Sequence, residues 1–175
     1  LKGMSVDAIE IERSDKEIRI IIKTAKPGLV IGRSGEGIQA IKKEVDMLLR
    51  KQKMTTNPEL KIDIEEVRSP ESSAQIVGQM IAEGLEKRLT FRRVMKQTVE
   101  KVMANRDVQG VRVILSGRLG GADMARKEEL KRGRVPLQTL RADIDFARVE
   151  ANLPYGVIGI KVWIYRGQVF DDRTA

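Results

Sequence analysis

TAKPGLVIGRSGEGIQAIKKEVDMLL, residues 24–49, places an apolar triplet, a glycine loop and a helical repeat in immediate succession. Lys26-Pro27-Gly28 ends the strand before it, since proline withholds a ladder donor and glycine weakens a strand. Leu29-Val30-Ile31 is a short apolar piece that meets Gly32-Arg33-Ser34-Gly35. Beyond the loop, Ile38, Ile41, Val45 and Leu48 recur at helical spacing, which predicts an amphipathic helix over 36–51. A G-x-x-G in that setting suits a nucleotide chain. The glycines let the backbone approach a sugar-phosphate, the following helix offers its first amides to an anion, and Arg33 adds a charge. The adjacent aliphatic groove suits unpaired bases.

The spacing alone is weak. With 15 glycines in 175 positions, chance yields about 1.3 such pairs, and the chain has three: Gly32/Gly35, Gly117/Gly120 and Gly156/Gly159. Only the first has apolar residues before it and a helical repeat after it. Two rival phosphate motifs fail. Gly35-Glu36-Gly37-Ile38-Gln39-Ala40 fits the dinucleotide pattern G-x-G-x-x-A, but the strand before it ends near Thr24, about ten residues too early, and no βαβ unit follows. No glycine stands at P-loop spacing before a Lys-Ser or Lys-Thr pair.

Upstream of the loop, Val6, Ile9 and Ile11 lead to the turn-like Ser14-Asp15-Lys16, and Ile18, Ile20 and Ile22 alternate with Arg19 and Lys23. This predicts a β-hairpin with one buried face. Downstream, Asn57-Pro58 breaks the chain, and Leu60, Ile62 and Ile64 give a third strand. The turn residues Arg68-Ser69-Pro70-Glu71 favour a first domain over 1–68, a linker over 69–72 and a second domain over 73–175. There, Ser72 or Ser73 is placed to cap a helix with the face Ile76, Val77, Met80, Ile81 and Leu85. Phe91, Val94, Met95, Val99, Val102 and Met103 predict another helix after Thr90. Val111 to Leu115 reads as a strand, Gly120-Gly121 as a break before a helix at about 122–132, and residues 139–149 and 157–166 as a hairpin. The predicted fold class is α+β.

Lys and Arg number 33 against 25 Asp and Glu, a net charge of +8 that suits a polyanionic partner, because neutralised phosphates release counterions. There is no Cys and no His, which removes disulfides, thiolate chemistry, zinc and the commonest general base. No catalytic residue, metal or cofactor is expected. No apolar run approaches the roughly 20 residues of a membrane span and no signal peptide is visible, so no membrane partner is expected. The chain opens at Leu1 with Met4 inside, which leaves room for a preceding segment. Aromatic residues are 3%, too few for a stacking sheet.

The charge concentrates in two stretches. Lys87, Arg88, Arg92, Arg93, Lys96, Lys101 and Arg106 stand against Glu86 and Glu100, and Arg92, Arg93 and Lys96 fall within about one helical turn. Such a cluster tracks a phosphate backbone without reading sequence. A second group, Arg118, Arg126, Lys127, Lys131, Arg132, Arg134 and Arg141, is interspersed with glycines at 117, 120, 121 and 133. Asp143 and Asp145 share a strand face, as a nuclease metal pair would, or else pair with Arg141 or Lys161 across the hairpin.

Together these residues resemble the family of bacterial small-subunit ribosomal protein number three. The matching stretches are TAKPGLVIGRSGEGI (24–38), LEKRLTFRRVMK (85–96), SGRLGGA (116–122), GRVPLQTLRADID (133–145) and YGVIGIKVWIYRG (155–167). The resemblance implies a type II KH domain, in the order β-β-α-α-β here, followed by an α/β domain with helices packed on a small, mostly antiparallel sheet. It implies residence in the head of the small ribosomal subunit in the cytoplasm, contact with small-subunit rRNA, and the head proteins numbered ten and fourteen as neighbours. It also puts the basic helix at the channel by which mRNA enters, where Arg92, Arg93 and Lys96 grip mRNA and help unwind it. The loop Gly32, Arg33, Ser34 and Gly35, with Arg88, Arg118, Arg126, Lys127, Lys131, Arg132 and Arg134, is then expected to contact RNA phosphates. The sequence departs from the family pattern at Glu129-Leu130, where a Trp-Tyr pair is usual, at Gln138 and Asn152, where histidines are common, and in lacking the stretch that precedes the first domain. Two other readings stay open at this level: a free KH-type RNA-binding regulator, and a metal-dependent nuclease built on Asp143 and Asp145.

Overall fold

Isoleucine-rich runs on either side of Ser14 form strands β1 (Val6–Arg13) and β2 (Glu17–Thr24) in the computed structural model, which describes residues 3–14, 17–51 and 59–170. A short helix α1 (Pro27–Ile31), the glycine loop, helix α2 (Glu36–Lys51) and strand β3 (Glu59–Glu66) follow. The Asp15-Lys16 turn and the Asn57-Pro58 break lie outside the described residues. β2 is the central strand, antiparallel to β1 and parallel to β3. Register sets Ile20 between Ile11 and Ile62, and Ile22 between Ile9 and Ile64, so one face is a band of isoleucines. Ile22, Val30 and Val6 are its buried centre, joined by Ile41 from α2.

The expected single buried face is only partly realised. Ile9 and Ile11 are 48% and 67% exposed, because the two helices lie against β3 and leave the edge strand β1 uncovered. Leu48, expected on the covered side of α2, is exposed together with Met47; of the helix's apolar positions only Ile41 joins the core cluster. Ile21, on the opposite face, is buried instead. On the same face the flanking Arg19 and Lys23 pair with Asp63 and Glu10.

Contacts divide the chain into two units, Leu1–Arg68 and Ser69–Ala175. In the second, Ser73 caps helix α3 (Ala74–Glu86): its Oγ accepts the Ile76 N–H at 3.2 Å, an arrangement typically contributing about 1 kcal/mol. Helix α4 (Phe91–Met103) follows. Strands β4 (Gly110–Gly117), β5 (Arg126–Gly133), β6 (Ala142–Leu153) and β7 (Gly156–Gln168) form an antiparallel sheet in the order β5-β4-β7-β6. The two helices cover one face. Val77, Ile81 and Leu85 of α3, with Val94, Val99 and Val102 of α4, pack with Val111, Val113, Leu115, Ile160, Val162 and Ile164 in the main core.

Two expectations are corrected here. The helix expected at about 122–132 is the edge strand β5, which pairs with β4 from Gly110–Gly133 to Gly117–Arg126. Its Arg, Lys, Glu and Leu residues favour helix locally, but the ladder and the packing of Leu130 on the core override that preference. The charges also keep the open edge from pairing with another chain. Asp143 and Asp145 face Arg166, not Arg141 or Lys161: the register sets Lys161 opposite Arg148, and Arg166 is the unpaired residue at the irregularity between Asp143 and Ile144. Asp145 also accepts the Ala74 N–H at 2.7 Å, and Arg166 donates to the Ser72 carbonyl, so this pair fastens the start of α3 to the sheet. The hairpin strands run past the expected ends at 149 and 157, to Leu153 and from Gly156, which leaves Pro154-Tyr155 as the turn.

Candidate nucleic-acid interface

The glycine loop is built for exposure. α1 ends at Ile31, Gly32 takes φ 71°, and the 3-10 turn Arg33–Gly35 leads into α2. Ser34 (φ 52°) and Gly35 (φ 81°) both lie in the left-handed region, which turns the Arg33 and Ser34 side chains into solvent. A Cβ at Gly35 would meet nothing within 4 Å, so that glycine serves conformation and leaves open space above the backbone. Gly37 is different. A Cβ there would lie 2.3 Å from the Val30 carbonyl oxygen, so the close approach of α1 and α2 depends on it. Sequence reasoning passed over Gly37 because it counted only as part of a rejected dinucleotide pattern. Arg33 has no ionic partner among the described residues, and Leu29 and Ile31 are exposed beside it.

In the second unit the cations gather around the α3–α4 turn. Lys87 is the C-cap of α3 and Arg88 follows at φ 61°, with the Leu89 N–H on the Gly84 carbonyl and the Arg88 N–H on the Leu85 carbonyl. That is the helix-ending pattern glycine normally occupies. α4 then buries Phe91, Val94, Met95, Thr98, Val99 and Val102 and turns Arg92, Arg93 and Lys96 outward. Arg93 and Lys96 have no ionic partner among the described residues. Arg92 lies 3.4 Å from Glu128 and its guanidinium is 5.6 Å from the Phe91 ring centre, with Arg126 at 5.7 Å from the same ring and 3.2 Å from Glu128. Such exposed pairs contribute about 0–1 kcal/mol each, so a phosphate can displace them readily.

The other predicted contacts separate by strand alternation. Arg126 and Arg132 share the helix-covered side of β5 with Leu130, while Lys127 and Lys131 point to the opposite side. Lys127, Lys131, Arg132 and Arg134 are exposed. Arg118 is committed internally: it donates to the Ala122 and Tyr155 carbonyls and to Asp123, tying the loop after β4 to the hairpin tip. Between α4 and β5 a groove of about 380 Å³ has Met95, Val99 and Leu130 as its floor and Arg92, Lys96 and Arg132 at its rim. Glu129 and Leu130 each have an account. Leu130 packs on the core, and Arg112 donates two hydrogen bonds of 2.8 and 2.9 Å to Glu129, which hold its carboxyl below the ordinary carboxylate range.

Residues 1–72 match the family described as KH domain, and residues 81–164 match the family described as Ribosomal protein S3, C-terminal domain. The whole chain is 46% identical to the small ribosomal subunit protein uS3 of Caldicellulosiruptor bescii, covering 76% of that relative, and 47% identical, with the same coverage, to that of Caldicellulosiruptor saccharolyticus. With the protein of the same name from Clostridium botulinum (strain Okra) it shares 48% identity over 168 residues, 96% of this chain and 72% of the relative.

Proposed function

The chain belongs to the uS3 family of small ribosomal subunit proteins, and from that premise we propose that α4 of its second unit holds mRNA where it enters the subunit. The family is structural and non-enzymatic, and the chain is a constituent of the small subunit that binds rRNA. The observation that carries the finer reading is the pair Arg93 and Lys96: exposed, unpaired among the described residues, and one turn apart on a helix whose other side is sealed into the core. Cations fixed on a buried helix attract a phosphate chain at little ordering cost and carry no base preference. Arg92 joins them by leaving Glu128. A single strand held in this way is disfavoured from re-pairing, so the help in unwinding is passive and needs no nucleotide site.

The Gly32–Gly35 loop with Arg33, and the exposed Arg88, Arg126, Lys127, Lys131, Arg132 and Arg134, are assigned to rRNA phosphates, with Arg118 mainly holding its own loop. Residence on cytoplasmic ribosomes beside head proteins ten and fourteen completes the reading. The test is small subunits reconstituted with Arg93→Ala and Lys96→Ala together. Their mRNA affinity should fall, and the slope of log affinity against log salt should flatten by about 0.7 for each phosphate no longer neutralised. An unchanged slope overturns the direct contact.

A further inference from the structure

The face of the second sheet that α3 and α4 leave bare takes no part in mRNA binding by α4. Register sets Lys131, Arg112, Trp163 and Phe146 in one row across β5, β4, β7 and β6. The Phe146 and Trp163 ring centres are 5.0 Å apart, and the Arg112 guanidinium lies 5.2 Å from the Trp163 ring centre. Glu129 fixes that guanidinium through its two hydrogen bonds, so the row is held in place before any ligand arrives. Phe146 stands on the edge strand β6 and is 50% exposed. The composition, with aromatics at 3%, predicted no stacking sheet; the fold nevertheless brings two of the six aromatic residues together on this one face.

Charge identifies the occupant. In the next row Lys161 pairs across the ladder with Arg148 and has no ionic partner among the described residues, while Lys131 adds its charge beside Glu129. Among the described residues, Lys127, Lys131, Arg112, Lys161 and Arg148 share this face with two carboxylates, Glu129 and Glu150. Glu129 is bonded to Arg112, and Glu150 lies 3.5 Å from Arg148 in an exposed pair that a phosphate can displace. A protein partner closing over an apolar patch would be left with those cations to desolvate. A polyanion with flat, apolar bases uses both features at once. The basic surface is also continuous: β5 sends Lys127 and Lys131 to this face, while on its other side Arg126 lies over the Phe91 ring of α4 and Arg132 lines the groove beside it.

We propose that this bare face is a second site for single-stranded RNA, in which an unpaired base stacks on Phe146 and extends the Arg112–Trp163–Phe146 row. Lys161 and Arg148 take the adjoining phosphates. The proposal rests on the RNA-binding reading for the class of ligand, but uses none of the α4 residues.

Trp163 is the chain's one tryptophan, so its emission reports on the site directly. The probe is an oligoadenylate of about twelve nucleotides, a length that covers a single-strand site. Binding should quench Trp163. Phe146→Leu, which keeps an apolar side chain but removes the ring, should weaken binding by about tenfold, and Phe146→Tyr should retain it. Arg93→Ala with Lys96→Ala should weaken binding yet leave the quenching at saturation intact. Binding without any change in Trp163 emission, or Phe146→Leu binding like the parent, overturns this site; if the α4 variant is still weakened, the α4 reading survives alone. A weakened Phe146→Leu beside an unaffected α4 variant leaves the bare face as the binding site and removes α4, and no binding to the probe overturns both. Ultraviolet crosslinking of Trp163 to protein instead of RNA in native small subunits assigns the face to a protein neighbour and also overturns it.

Discussion

Each unit presents a cation on a tight turn just ahead of a helix, and the two turns are built differently. In the first, glycine supplies most of the conformation: Gly32 and Gly35 take positive φ, as does Ser34 between them, and a single cation, Arg33, is displayed. In the second, Arg88 itself occupies the left-handed position at the end of α3, and Arg92, Arg93 and Lys96 follow on α4. The charge balance runs the same way. The first unit has 14 Lys and Arg against 12 Asp and Glu and the second 19 against 13, which together make the 33 and 25 of the chain. The conspicuous motif therefore sits in the nearly neutral unit, whereas the dense cluster of cations sits behind a turn with no motif at all. A positive-φ arginine costs about 1 kcal/mol relative to glycine, which points to a use for its charge at that spot.

Breaking the first turn should give the largest effect. Gly37→Ala forces a Cβ against the Val30 carbonyl and should destabilise the first unit by about 3 kcal/mol, whereas Gly35→Ala, in open space, should cost about 1 kcal/mol of backbone strain. Chemical denaturation separates them, and equal losses would mean that the close approach of α1 and α2 is not what requires glycine. The second turn is sharpened by Arg88→Gly, expected to stabilise the fold by about 1 kcal/mol while weakening RNA binding a few-fold. A loss of stability there would refute the left-handed geometry, and intact RNA binding would leave the Arg88 charge without a use.

The smallest effect lies in the ion pairs of the two sheets. A hydrogen bond from Lys61 lowers the pKa of Glu17, and the two from Arg112 lower that of Glu129. Depressed carboxylates contribute stability that is present above their ordinary pKa, near 4.5, and lost as pH falls below it through the folded value. Lys61→Met in the first unit and Glu129→Gln in the second should each flatten the acid-side fall of the melting midpoint slightly. Both pairs are exposed, so a steep change from either would show that the pair does more than surface screening permits.

Much of the fold is legible along the chain. The alternation of Ile18, Ile20 and Ile22, the helical repeat after Gly35, the cap at Ser73 and the stripe from Phe91 to Val102 all match the elements they predict. Each is a local pattern in which side-chain periodicity and backbone geometry agree. The site is legible in composition but not in commitment. Arg118 and Arg93 look alike in sequence, yet one spends its donors on two carbonyls and a carboxylate while the other has no ionic partner among the described residues. That distinction depends on residues such as Tyr155, which lies 37 positions from Arg118.

The sequence by itself determined the family, the two-part strand and helix pattern, the glycine loop and the excess of positive charge, because these follow from residue type and short spacing. Only the tertiary structure decided that residues 126–133 are an edge strand, that Gly37 is the packing glycine, and that Arg112, Trp163 and Phe146 form one row on a bare face. The physical reason is the same in each case. Strand pairing and close backbone approach are settled by partners far along the chain, and those partners can override what the local residues prefer.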